Sequence, residues 1–257
     1  MPDILSTLAH RPYPLPSGQW RLAQRWNNLL FAHWPIPVAQ LAPHLPVSLE
    51  PDTFDGHAWI GVVPFYMDRV RTRAMGDLAF TTPGTSSFPE LNLRTYVRSR
   101  TTGLPGVYFF SLDAASLLAV IGARTLFHLP YFWAKMHSKP REDGTVLYES
   151  TRELTRKPAR FKAEYKGSGI VTPSLPGTLA SFLTERYCLF TTSGSRTLVG
   201  HIHHLPWPLE AAEAEISVNT LPTAHDITLP DCPPILHFAR KLEVYIWSLR
   251  PDAAPAP

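Results

Sequence analysis

Cysteine is almost missing from this chain. Two in 257 residues, Cys188 and Cys232, with no CxxC pair, exclude a disulfide framework and a cysteine-rich zinc site. A reducing, cytoplasmic setting is the default expectation. Charge of one sign is missing as well. The 24 basic residues outnumber the 21 acidic ones only enough for a net charge of +3. No Lys/Arg run stands out, so no nucleic-acid partner is expected. Apolar runs fall well short of a membrane span, and "MPDILSTLAHRPYPLP" has no basic stretch followed by an apolar one. Neither a membrane partner nor a signal peptide is expected. The phosphate-cradling GxGxxG and GxxxxGK[ST] patterns, HExxH and the GxSxG elbow are absent, and no cofactor is implied. Ser193 and Cys188 have no neighbouring motif to activate a nucleophile.

Proline is what the chain has in excess, 27 residues of 257. Each removes an amide donor and fixes φ, so long uninterrupted helices are excluded over much of the chain. Short strands and irregular loops should dominate, around a core that a composition of 44% hydrophobic residues can supply. Apolar segments continue to the last strand without a glycine/serine linker or a repeat. One domain is therefore expected over residues 20–249, with an N-terminal arm over 1–19 and a frayed tail over 250–257.

Periodicity predicts a buried strand at 57–65, strands at 88–98 and 106–112, and further strands at 145–152, 160–166, 196–204, 212–219 and 235–249. In 160–166 the apolar Phe161, Ala163 and Tyr165 alternate with charged residues, the mark of one solvated face. Residues 20–34 are ambiguous between strand and helix. A short helix is expected over 37–46, a helix over 114–127 with Asp113 as N-cap, and another over 178–190. The whole reads as mainly β (α+β), an antiparallel barrel-like fold with a few packed helices.

Chemistry is suggested first by "FPELNLRTYVR" (88–98). Glu90, Asn92, Arg94, Tyr96 and Arg98 share one parity, so one strand face carries a row of hydrogen-bonding side chains that either meets water or lines a polar cavity. Two arginines stand where an apolar helix stripe calls for hydrophobes. Arg124 follows Leu117, Val120 and Ile121, and Arg186 follows Leu179, Phe182 and Leu183. Each either snorkels to water or reaches inward to an acid such as Glu90. His201 and His203 form an H-x-H pair on one strand face, but no third ligand stands at a telling spacing.

Six segments taken in order resemble the YqjF-like family, a domain of unknown function (DUF2071) grouped with the acetoacetate decarboxylase-like superfamily. They are "LEPDTFDGHAWIGVVPFYM" (49–67), "FPELNLRTYVR" (88–98), "GVYFFSLDA" (106–114), "ARTLFHLPYFWAKM" (123–136), "FLTERYCLF" (182–190) and "HHLPWPL" (203–209). The likeness runs from about Trp20 to Trp247. It implies a cone-shaped antiparallel β barrel with helices around it and a buried polar pocket for small keto acids. The decarboxylases of that superfamily carry a Schiff-base lysine soon after a glycine–arginine segment and a proline. Here Arg124 and Pro130 match, but Tyr131 and Phe132 stand at the lysine positions, and Lys135 lies beyond them. Schiff-base chemistry is therefore not expected.

The resemblance also turns the row of the 88–98 strand inward, with its apolar parity against covering helices. It implies a site with Glu90, Arg124 and Tyr131 as catalytic residues and Asn92, Arg94, Tyr96 and Arg186 as ligand contacts. Arg94 and Arg124 would clamp a carboxylate, and Glu90 would exchange protons. Three readings stay open. One is a lyase- or hydratase-type enzyme working by acid/base chemistry, one a non-catalytic small-molecule binder, and one a polar network that only fixes strand register. Self-association is left open.

Overall fold

The computed structural model describes residues 4–73, 79–80 and 86–253. Its first strands are β1 (Leu22–Ile36), β2 (Leu49–Pro51), β3 (Ala58–Arg73), β4 (Ala79–Phe80), β5 (Phe88–Ser99) and β6 (Pro105–Ala114). β7 (Tyr131–Trp133), β8 (Lys135–Pro140), β9 (Val146–Arg152) and β10 (Ala159–Val171) follow. β11 (Cys188–Ser193), β12 (Arg196–His203), β13 (Glu210–Asn219), β14 (Ile235–Ile246) and β15 (Arg250–Pro251) complete the set. The α-helices are α1 (Val38–Leu41), α2 (Leu117–Phe127) and α3 (Leu179–Thr184), and none among the described residues is long and apolar enough to cross a membrane.

The ambiguous segment at 20–34 is strand β1, with buried residues on both parities. A closed ring runs β12–β11–β6–β5–β3–β1–β14 and returns to β12 through Ile202↔Ile246 and His203↔Tyr245. Its neighbours are antiparallel except at one seam, where β11 and β6 run parallel with two registered pairs, Leu189↔Val107 and Phe190↔Tyr108. Gly106 makes that seam fit. A Cβ there would lie 2.8 Å from the Cys188 carbonyl oxygen and 2.8 Å from its Sγ.

From β14 the sheet continues through β13, β10, β9 and β8 and forms a second layer. Leu30, Ala32, Ile60, Val62, Leu91 and Leu93 on β1, β3 and β5 pack there against Tyr148, Phe161, Ala163 and Tyr165. The apolar parity of β5 is thus covered by a sheet, not by the helices expected. The reason lies in β10, whose alternation offers Phe161, Ala163 and Tyr165 as a ready apolar face. The opposite parity of the same strands fills the barrel with Leu29, Phe31, Val63 and Phe65. Each such side chain contributes about 1.5–3 kcal/mol on full burial.

Two helix expectations are corrected. Asp113 is no N-cap: β6 runs on to Ala114 because Glu90 pairs with Ala114 and Leu91 with Asp113, and Ser116 caps α2 instead, accepting the Ala119 amide at 3.2 Å. The second helix stops at Thr184, since Cys188–Ser193 are drawn into pairing with β12 and β6. Tertiary pairing has overridden a fair local helix propensity. The stripe on α2 is also displaced. Val120 is 3% exposed, whereas Leu117 and Ile121 are 56% and 52% exposed. The face toward the core is Ala119, Val120 and Ala123, small residues that let the helix lie close. At the chain end, Asp252 accepts hydrogen bonds from Ser99 at 2.6 Å and Thr102 at 2.9 Å, so the backbone is tied down that far.

Between the layers, Arg152 of β9 donates to Asp113 of β6 at 3.0 Å, with side chains 0% and 1% exposed. Removing one member of such a pair strands a charge that water cannot reach. Asp113→Ala should therefore lower the unfolding free energy by about 3–5 kcal/mol, and the double variant Asp113→Leu with Arg152→Met should recover most of it. Urea unfolding of the two proteins measures both. A loss for Asp113→Ala below about 1 kcal/mol would show that the pair does not hold the layers.

Candidate functional site

Register decides what faces the barrel interior. Across β3 and β5, Phe65 lies opposite Glu90, Val63 opposite Asn92 and Gly61 opposite Arg94, and directly opposed residues share a face. Glu90, Asn92 and Arg94 are 2%, 6% and 7% exposed and line one cavity of about 80 Å³. Gln24, Tyr131, Thr184, Arg186 and His204 complete its polar lining, with Phe109, Leu129 and Trp207 among the apolar walls. Gly61 clears space for the row. A Cβ there would sit 3.0 Å from the His33 ring and 3.4 Å from Cγ of Arg94.

Glu90 is an acid without a cation. No ion pair reaches it among the described residues, and burial pushes its carboxyl up to about 8. The Tyr131 hydroxyl donates to its Oε2 at 2.9 Å, and the Asn92 side chain also bonds it. Both pull the value back, while Asp113 behind the strand raises it. Burial and the neighbouring Glu90 push the Tyr131 phenol well above its ordinary range. At neutral pH the pair is therefore uncharged. The Tyr148 hydroxyl, from the second layer, donates to the Glu90 carbonyl oxygen at 2.6 Å and fixes the strand beneath it.

Arg94 is a cation without an acid. Its Nη2 donates to the Leu183 carbonyl at 3.1 Å and to the Tyr96 hydroxyl at 3.2 Å, and no carboxylate among the described residues pairs with it. Nε is buried with no hydrogen bond. The guanidinium lies 5.1 Å from the Phe31 ring centre. Tyr96, expected as a ligand contact, is instead a support. Its hydroxyl donates to the Leu183 carbonyl at 2.6 Å and meets His33 Nε2 at 2.6 Å. A hydroxyl has one proton, so His33 must donate from Nε2. Burial and Arg94 hold that imidazole well below its ordinary value.

The two helix-stripe arginines part ways. Arg186 lines the cavity, but its Nη1 donates to Asp52 Oδ2 at 2.6 Å and its Nε to the Phe182 carbonyl at 2.7 Å. Its acid is Asp52, not Glu90. Arg124 does not reach the cavity at all. Its Nε donates to the Tyr131 backbone carbonyl at 2.6 Å and its exposed guanidinium lies in an outer cleft. The Arg94–Arg124 carboxylate clamp is therefore corrected, because α2 presents alanines inward and turns Arg124 outward. Lys135 is exposed on β8, and among the described residues no lysine lines the cavity. His203 takes a hydrogen bond from Arg11 Nη1 at 3.1 Å on Nδ1 and meets the Ile4 carbonyl at 2.6 Å on Nε2, so both nitrogens are used. No group of three His, Cys, Asp or Glu side chains among the described residues is placed to hold a metal.

The site's supports His33, Asp52, Gly61 and Tyr148 were not singled out from sequence. Each meets its partner across a gap in the chain that no local pattern spans. Only His33 carries a hint, as the polar member of its parity in "LFAHW" (30–34).

Residues 23–243 match the family described as DUF2071, an uncharacterized conserved protein. The uncharacterized protein YqjF of Bacillus subtilis (strain 168) is 48% identical over 236 residues, covering 92% of this chain and 94% of that protein. Among solved structures, acetoacetate decarboxylase from Legionella pneumophila superposes with a TM-score of 0.58 at 12% identity, covering 98% of this chain and 96% of that one. The enduracididine biosynthesis enzyme MppR, complexed with pyruvate, gives a TM-score of 0.58 at 12% identity over 94% of this chain and 93% of its own. The fold is acetoacetate decarboxylase-like.

The buried acid has a consequence for stability. Glu90 holds its proton up to about 8 in the folded chain, against an ordinary value of 4.5. The folded state thus keeps a proton that the unfolded state releases. Stability is full below the unfolded value and falls as pH rises through that window, by a few kcal/mol in all. Glu90→Gln should flatten this fall. Urea midpoints at about pH 5 and about pH 8.5 measure it, and equal slopes for both proteins would place the titration elsewhere.

Proposed function

This chain belongs to the DUF2071 family of uncharacterized conserved proteins, and from the barrel interior we propose that it binds a small keto acid and acts on it by acid/base chemistry. One observation carries the reading: in the barrel cavity, Arg94 has no acid partner among the described residues, while Glu90, the only carboxyl among the described lining residues, is held neutral. A buried guanidinium without a counter-ion is strongly disfavoured. An anionic ligand resolves it, and a carboxylate matches the planar fork of arginine. Size narrows the class. About 80 Å³ is small beside the roughly 300–1,000 Å³ of drug-sized sites, so the ligand has a handful of heavy atoms. The solved structures of like fold that hold pyruvate, or its condensation product with imidazole 4-carboxaldehyde, support the same chemical class by analogy.

Arg94 binds the carboxylate and orients it. Glu90 supplies a proton to the oxygen or carbon that gains charge and takes it back afterwards, while Tyr131 donates to Glu90 and steadies whichever form remains. The environment suits this work, since a carboxyl poised near 8 is a usable acid at neutral pH. No amine among the described residues lines the cavity for a Schiff base, and a lyase- or hydratase-type step needs none. A second reading, binding without turnover, is favoured by the two hydrogen bonds from Tyr131 and Asn92 that already hold the Glu90 carboxyl. Free thiols at both cysteines, with Cys232 exposed, suit the reducing cytoplasmic setting we propose for it.

Calorimetry with pyruvate tests the ligand class. Arg94→Met should abolish binding, Glu90→Gln should retain it, and wild-type binding should weaken above about pH 8, where ionised Glu90 repels a carboxylate. Deuterium exchange at the pyruvate methyl group tests the acid/base role, the ionised fraction of Glu90 taking the methyl proton and returning a solvent deuteron to the same carbon. Exchange by wild type but not by Glu90→Gln supports catalysis, and tight binding with no exchange by either leaves the binder. Borohydride with acetoacetate or pyruvate should add no mass to any lysine. A stable adduct mapped to Lys135 would overturn the cavity geometry.

A further inference from the structure

Outside the barrel lies a larger cleft of about 620 Å³ that shares only Phe109 and Leu129 with the inner cavity. Its floor is aromatic and its polar side chains form a connected set. Lys157 Nζ lies 3.4 Å from His225 Nδ1. The His225 ring is 6.2 Å from Phe110 and 6.4 Å from Phe132 between centres. Arg152 and Arg124 both stand on the same Phe132 ring, 4.2 Å and 5.5 Å from its centre.

The donors in this cleft lack acceptors. An ammonium group can only donate, so His225 accepts at Nδ1 and carries its proton on Nε2. That Nε2 is buried without a hydrogen bond in a side chain belonging to a residue 6% exposed. Arg124 uses Nε on the Tyr131 carbonyl, and its two terminal nitrogens hold no hydrogen bond among the described residues. Among the described residues neither Arg124 nor Lys157 forms an ion pair, and Asp226 is the one acid in the lining. Two exposed cations and one buried imidazole N–H without an acceptor, beside aromatic side chains, fit an acceptor-rich ligand with a flat body.

We propose that this cleft is a second small-molecule site, separate from the barrel cavity, that takes an aromatic oxyanion, either an aryl carboxylate or an aryl phosphate. The oxyanion sits at Lys157 beside His225, the ring lies along Phe110 and Phe132, and Arg124 adds a second positive charge at the far side of Phe132. Cation and ring contacts then act on one ligand at once. The volume falls in the range of small-molecule sites, whereas the barrel cavity cannot hold a ring of this kind beside its own charged group. The site is thus independent of whether the inner cavity takes a keto acid.

Titration of the full chain with benzoate and with phenyl phosphate, followed by calorimetry and by histidine-ring NMR, tests it. Saturable binding is expected with a shift at His225. Lys157→Ala should weaken it roughly tenfold and Arg124→Ala by less, the scale of a charge-assisted hydrogen bond. Arg94→Met should leave it unchanged. Both cleft positions are exposed, so their variants retain the fold, which a thermal melt checks. The preferred anion tells carboxylate from phosphate sources. No saturation by either compound in the millimolar range, unchanged affinity in Lys157→Ala, or loss in Arg94→Met would each overturn the proposal.

Discussion

From Phe88 to Ser99 the chain has the barrel interior on one side and a second sheet on the other, so neither face of β5 reaches water over most of its length. Every polar group on it must find a partner inside the protein or in a ligand. Tyr96 does so through Leu183 and His33, and Glu90 does so by keeping its proton. Arg94 does so only in part. The same constraint acts on β6, whose Asp113 faces the second layer and is matched by Arg152. Double burial of adjacent strands thus creates both the structural ion pair and the unpaired cation, on opposite faces of one ribbon.

Electrostatically the two faces are linked. Glu90 and Asp113 stand on neighbouring strands, and each carboxyl lies above its ordinary value because burial disfavours charge. Asp113 has Arg152 to pull it back, to about 7, while Glu90 has only hydrogen bonds and stands at about 8. One acid is spent on holding the layers together and the other remains available. Had the arginine faced the cavity side instead, Glu90 would be a fixed anion and Arg94 would have less reason to draw a ligand.

How much of this was legible in the sequence depended on range. The row of β5 was readable because a period of two separates Glu90, Asn92 and Arg94 from Leu91, Leu93 and Val97 without reference to anything else. What covers the apolar parity was not, since β10 lies some seventy residues on and its alternation fits any apolar neighbour. Arg124 and Arg186 gave the same local signal and had opposite outcomes. The large side chains of α2 suggested the wrong inner face, because alanines pack inward there, whereas Arg186 found an acid at Asp52 that no spacing connects to it. Asp113 was a sound N-cap by residue type, yet pairing with β5 held it in a strand. Local chemistry was legible, and partners across the sheet were not.

The seam between β6 and β11 gives the barrel an uneven mechanical character. A ring stitched mostly by long antiparallel ladders is joined there by two parallel pairs, brought close by Gly106, and closed at β12–β14 by two antiparallel ones. Val107, Phe109 and Leu189 at this seam are also walls of the inner cavity. Local opening costs least where the fewest backbone hydrogen bonds must break. The inner chamber can therefore exchange its contents through a transient parting of one of these two short sutures, with the rest of the ring intact, and the tempo of exchange belongs to the suture rather than to the ligand.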